Sequence, residues 1–357
     1  MTTYYVGPGG NDGNSGETWA LRKLTLAGVG DAGLHWGDVV YVAPGVYRET
    51  LTVAKSGSAG ASVITYIGDK TGEHTDGVGG LVRITGSNDD KTMTRSNCIL
   101  VDGFNYRTFR GFHLEGSTAS ACSMYGCKYC TFELSSISGS TKGVAFDSTA
   151  NSLANTVQNC YLGVIGNNVV TDYNGGVEAG NPGHLVQSCI IGPWSGGWIP
   201  GVRITKGGGF TIKNCAIMGG YQGLLSDTTG HSPVYIYNSM IMCCTLGIQA
   251  QVVGDIVEDY NTFWGNGTDR TNVAVGAHSV SYPALFDTRW FPEVVSGKGR
   301  MVTPFDLASY SQLLNLAGTA PPATDLRGAA VIGAQREWGP LEYDPALLYR
   351  RVIGRQC

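Results

Sequence analysis

The strongest constraint on the fold is a short motif that recurs at near-regular intervals. Val157-Gln158-Asn159-Cys160 is followed by Val186-Gln187-Ser188-Cys189, Ile212-Lys213-Asn214-Cys215, Ile236-Tyr237-Asn238-Ser239 and, in weaker form, Asp259-Tyr260-Asn261-Thr262. Steps between the fourth positions are 29, 26, 24 and 23 residues, the spread expected of solenoid rungs that share strands and differ in their loops. A second column accompanies the first: Gly143 to Asp147, Asn168 to Asp172, Gly201 to Thr205, Gly223 to Asp227 and Gly247 to Gln251. Each rung therefore carries at least two strands too short to bury a core alone, and stacking at about 4.8 Å gives each strand a partner above and below. Asn159, Asn214, Asn238 and Asn261 would form an amide ladder at one corner, with Ser188 filling the gap. A β-sandwich or propeller fits less well, because no four-strand blade period is present.

Composition supports a turn-rich all-β chain. Gly accounts for 53 of 357 residues, about twice the usual share. A net charge of −4 without any Lys/Arg run removes the footprint that nucleic-acid binding requires. No apolar stretch approaches the ~18 residues of a membrane span, and the opening Met1-Thr2-Thr3-Tyr4-Tyr5 lacks the charged and apolar regions of a signal peptide. Cys160, Cys189 and Cys215 share one sequence context and are read as stacked core thiols. Cys122, Cys127 and Cys130 resemble half a zinc site, but no second cluster or ligand-spaced histidines complete it. Cys357, at the terminus, is expected to be exposed.

Upstream of the repeats, Thr25 to Ala32 reads as a short apolar capping helix. Val39 to Val42, Leu51 to Val53, Ser62 to Ile67 and Leu81 to Ile84 read as strands. A cap at the first rung has a physical purpose, since the open edge of a stacked sheet templates aggregation.

The segment Tyr4-Tyr5-Val6-Gly7-Pro8-Gly9-Gly10-Asn11-Asp12-Gly13-Asn14-Ser15-Gly16, then Leu24-Thr25-Leu26-Ala27, then Trp36 through Glu49 (WGDVVYVAPGVYRE), resembles the opening of pectate-lyase-like right-handed parallel β-helix proteins. Thr324-Asp325-Leu326-Arg327-Gly328 and Ile332-Gly333-Ala334-Gln335 resemble the closing turn of the same superfamily. The resemblance implies an all-β, single-stranded right-handed parallel β-helix over residues 1–335, with a cap at about 1–38, a closing segment at about 283–335 and a tail at 336–357. It implies no single reaction, because the superfamily includes uronate lyases, glycoside hydrolases, epimerases and phage tail spikes. Its lyases use calcium held by aspartates plus a Lys or Arg base, and no lyase motif transfers here residue by residue.

Candidate chemistry follows the second column. In one register, Asp147 and Asp172 would lie one rung apart, suiting calcium or a retaining pair of carboxylates. Asp172 and Asp227 would lie two rungs apart, roughly 10 Å between backbones, near the ~6.5–9.5 Å of an inverting pair. The alternative for each Asp is a turn cap bonded to its own backbone. Arg203 and Lys206 on the intervening rung could neutralise a sugar carboxylate, and Lys206 could act as base; otherwise they are solvated turn cations. His184 and His231 open strands beside this column and could serve as acid or base, or simply be exposed loop residues. The Gly192 to Gly201 loop carries Trp194 and Trp198, which would either stack on sugars or fold back onto the solenoid.

The sequence is therefore expected to encode a glycan-recognising β-helix of a phage virion, such as a tail spike, with glycan cleavage and binding alone both left open. The partner would be a polysaccharide or cell-surface glycan, the cofactor none or calcium, and assembly would be homo-oligomeric or with virion proteins. The alternatives are a secreted bacterial polysaccharide lyase or glycoside hydrolase, and a structural β-helix that binds other proteins.

Overall fold

The structure, a computed structural model, describes residues 1–147, 152–163, 166, 170–172, 183–192, 200–205, 209–227 and 233–281; Asp147, Thr171 and Asp172 are described by backbone alone. The closing segment and tail fall outside these residues, as does Cys357.

Three columns of strands run up the molecule. The first begins with Thr3–Val6 and Val39–Val42 and climbs through Ile64–Gly68, Arg107–Arg110, Thr131–Glu133, Thr156–Gln158, Leu185–Gln187, Thr211–Lys213 and Val234–Tyr237 to Ile256–Asp259. The second contains Gly45–Tyr47, Val82–Thr85, His113–Glu115, Ser136–Ser138, Tyr161–Leu162 and Ile190–Ile191. The third contains Leu51–Thr52, Asn97–Asp102, Ser120–Tyr125, Lys142–Asp147, Val170–Asp172 and Pro200–Ile204. The second and third columns merge in Ala216–Ser226 and Met240–Ala250, then part again as Thr262–Trp264 and Thr268–Thr271. Successive rungs pair in parallel, as in Thr156↔Leu185 and Leu185↔Thr211, which excludes the hairpins of a sandwich or propeller.

Alternation along each strand fills the core. Val157, Val186, Ile212 and Ile236 stack in the first column, and Val144, Val170, Val202, Leu224 and Ile248 in the third, all fully buried. Between the first and second columns the chain turns through one left-handed residue. Asn159, Ser188, Asn214 and Asn238 occupy it with φ of 54°, 52°, 55° and 49°. Asn tolerates this region better than most side chains, which accounts for its recurrence. The next residue closes the corner: the Cys160, Cys189 and Cys215 thiols donate to the carbonyls of Gln158, Gln187 and Lys213 at 3.1, 3.2 and 3.3 Å, and the Ser239 hydroxyl to Tyr237 at 2.8 Å. These three thiols are fully buried, as the repeat implied.

The weakest repeat copy is shifted by one. Tyr237 pairs with Asp259 and Met240 with Thr262, so Tyr260 (φ 55°) takes the left-handed corner and Asn261 the position of the thiols. Asn261 there accepts from the Ser239 backbone N–H at 2.9 Å and donates to the Ile236 carbonyl at 2.9 Å.

The cap departs from a regular helix. Ala27–Val29 and Asp31–Gly33 are single 3₁₀ turns, separated by Gly30 in the left-handed region at φ 66°. Three glycines within this segment lower its helical preference, and burial of Leu26 and Leu34 fixes the cap against the core. Asp31 anchors it further: its carboxylate accepts from the Ala54 N–H at 2.7 Å and the Tyr66 hydroxyl at 2.9 Å, and pairs with fully buried Arg107.

Candidate functional site

Register in the third column corrects the expected carboxylate pairs. Asp172 pairs with Phe146 on one side and Ile204 on the other, and Ile204 pairs with Ser226. Asp147 instead pairs with Tyr125, and Asp227 follows Ser226, one position beyond the Asp172 row. A one-residue offset places neighbouring positions on opposite faces of a sheet. Asp172 therefore shares a row with Phe146, Ile204 and Ser226, all fully buried, and not with Asp147 or Asp227. The expected alignment of Asp147, Asp172 and Asp227 in one row is thus offset by one backbone position at Asp172, while the side chains of Asp147 and Asp172 lie outside the described residues. Among the described residues, no group of three or more His, Cys, Asp or Glu side chains gathers as a metal ion requires.

Arg203 and Asp227 do meet. Both lie on the outer face, and Arg203 Nε and Nη2 each approach Asp227 Oδ2 at 2.8 Å. The expected substrate cation is thus already paired with an expected catalytic acid. With 41% of its side chain exposed against 16% for Asp227, the guanidinium still faces solvent. In sequence, Trp198 stands two residues before Pro200 and Lys206 two after Ile204, flanking the strand that carries Arg203. Trp194, Trp198, Lys206 and His231 lie outside the described residues.

His184 is neither an exposed loop residue nor a poised acid or base. It is 2% exposed, and its ring stacks on Phe146 with centroids 4.5 Å apart. Nδ1 accepts from the Asn155 N–H at 3.2 Å, while Nε2 is without a hydrogen-bond partner among the described residues. Burial pushes its pKa from 6.5 down to about 3, so the ring is held neutral with its proton on Nε2. Local sequence does not signal this burial, because Gly183 ahead of it reads as a loop.

The sequence reading also passed over a polar group on the second column. His113 and Glu115 lie on the outer face of one strand, directly below Ser136 and Ser138 of the next rung. Ser136 Oγ is 2.8 Å from His113 Nδ1, and Glu115 Oε2 is 3.2 Å from Nε2, where Ser138 Oγ also lies at 3.2 Å. Arg83 Nε sits 2.7 Å from Glu115 Oε1. The hydrogen bond from His113, aided by the Arg83 charge, holds the Glu115 carboxyl below its ordinary pKa against the opposing effect of burial. His-x-Glu followed 23 residues later by Ser was the available signal, legible only once that rung length was known.

No protein-family model matches the chain, and no curated protein sequence matches it. Solved structures do. Pectate lyase Pel9A superposes with a TM-score of 0.62 at 16% identity, covering 96% of this chain and 97% of its own. A rhamnogalacturonan lyase gives 0.53 and 15%, covering 74% of each chain. An alginate lyase from a Paenibacillus species gives 0.53 and 14%, covering 72% of this chain and 94% of its own. At such identities the likeness concerns architecture, and together with the parallel rungs it establishes that this chain has the pectate-lyase-like right-handed parallel β-helix fold.

Proposed function

We propose that the chain binds and cleaves an acidic polysaccharide along the outer face of the third strand column. The observation that carries this reading is Arg203, a guanidinium on the outer face of a parallel sheet, held in place by Asp227 and open to solvent. Fixed by one carboxylate, it presents remaining N–H donors to a second, such as that of a uronate. Three of the proteins that share the fold are lyases named for pectate, rhamnogalacturonan and alginate, which supports a uronate polymer as the substrate class. In this reading Arg203 binds the uronate carboxylate. Lys206, as the neutral amine, removes the proton α to it, the electrons left behind form a carbon–carbon double bond, and the glycosidic oxygen departs as a hydroxyl by taking a proton from water. Trp194 and Trp198 supply stacking faces for neighbouring sugars.

The proposed setting is a virion surface component of the tail-spike kind. Nine cysteines are free, eight of them buried, and none is paired among the described residues. That pattern suits a chain that folds in a reducing compartment before it meets a glycan outside.

The test is titration of the full chain with polygalacturonate, alginate and a neutral glucan, before and after Arg203→Ala. We expect binding to an acidic polymer only, at least ten-fold weaker in the variant with an unchanged melting temperature, and appearance of unsaturated uronate ends lost in Lys206→Ala. Equal binding of the neutral and acidic polymers, or an Arg203→Ala protein that binds as the parent does, overturns the reading.

A further inference from the structure

We propose that Ser136, His113 and Glu115 form a second reactive site, a serine-hydrolase centre for small carboxylic esters. Two features of the solenoid build it. Residues two apart on a strand share a face, so His113 and Glu115 stand side by side, and parallel register sets Ser136 directly opposite His113. The hydrogen-bond chain then fixes the roles. Glu115, kept ionised, can only accept, so His113 carries its proton on Nε2 and turns the lone pair of Nδ1 toward the Ser136 hydroxyl. A nucleophile bonded to a base that is itself oriented by a carboxylate is the arrangement that activates serine, recognised by geometry and not by chain order.

The geometry also bounds the substrate. Ser136 is only 6% exposed, and the His113 side chain 17%. A bulky acyl group would not reach the hydroxyl, whereas an acetyl on an exocyclic oxygen would. In the reaction Ser136 Oγ bonds to the ester carbonyl carbon while Nδ1 takes the hydroxyl proton. The carbon–oxygen bond to the alcohol breaks, and the alcohol leaves with that proton, giving acetyl-Ser136. Water then adds in the same way, passing its proton to Nδ1, and acetate departs as Ser136 regains its proton. That the ester is carried by a polysaccharide rests on the function proposed above; the chemistry at Ser136 does not.

The experiment treats the full chain with a fluorophosphonate and maps the phosphonylated residue by mass spectrometry, alongside hydrolysis of 4-nitrophenyl acetate. We expect the label on Ser136, labelling slowed at least a hundred-fold in His113→Ala, a smaller loss in Glu115→Gln, and full labelling in Ser138→Ala. A merely structural ladder would lower the melting temperature in these variants and leave no label on any of them. Absence of phosphonyl-Ser136 from the folded parent overturns the proposal even if a variant fails to fold. Because the probe requires no glycan, a chain that labels at Ser136 but binds no acidic polymer separates the two proposals.

Discussion

His184 offers a quantitative test of how the solenoid interior treats a titratable group. Its pKa lies at about 3 in the folded chain against 6.5 as the ordinary value. Between these values the unfolded chain binds a proton that the folded chain does not, so stability rises with pH across that window and falls on acidification. The slope is about 1.4 kcal/mol per pH unit at its steepest, and lowering the pH from about 7.5 to about 5 removes about 2 kcal/mol through this one residue. Replacing His184 with Phe keeps an aromatic ring against Phe146 and removes the proton site. Urea unfolding of parent and variant at both pH values isolates the effect, because every other titrating group is common to the two. We expect the parent to lose about 2 kcal/mol more than the variant. Equal losses, or a His184 ring resonance that titrates near 6.5 in the folded protein, would refute a buried neutral imidazole.

Three further outcomes follow from the packing. Arg107→Ala strands the Asp31 carboxylate in the core beneath the cap and is expected to cost ~3–5 kcal/mol, read as a fall in melting temperature that Asp31→Asn in the same chain partly reverses. Iodoacetamide should modify exposed Cys243 in the native protein and leave Cys160, Cys189 and Cys215 untouched until denaturation; rapid native labelling of those three contradicts the stacked-thiol corner. At the left-handed corner, Asn159→Gly should be nearly neutral, whereas Asn159→Val should cost roughly 1–2 kcal/mol by denaturant unfolding, and equal stability of the two would remove the backbone argument.

The repeat made the architecture legible because a solenoid is built from nearest-neighbour contacts. Each rung must offer the same inward side chains and the same corner as the next, so Val157, Val186, Ile212 and Ile236 reappear with Asn or Ser and a thiol or hydroxyl behind them. The site was less legible, since it depends on register, and loops of unequal length hide register from the sequence. One residue of slip moved Asp172 from the Asp227 row to that of Phe146 and Ile204, and another moved Asn261 from the Asn corner to the thiol position. Interactions across distant segments were hidden altogether: Asp31 and Arg107 are 76 residues apart, one in an apolar cap and one in a strand, and only the stacking of rungs brings them together. Local pattern thus determined which residues pack inward and how the chain turns, while tertiary structure decided which polar groups meet. A buried charge or imidazole takes its properties from neighbours that sequence distance does not reveal.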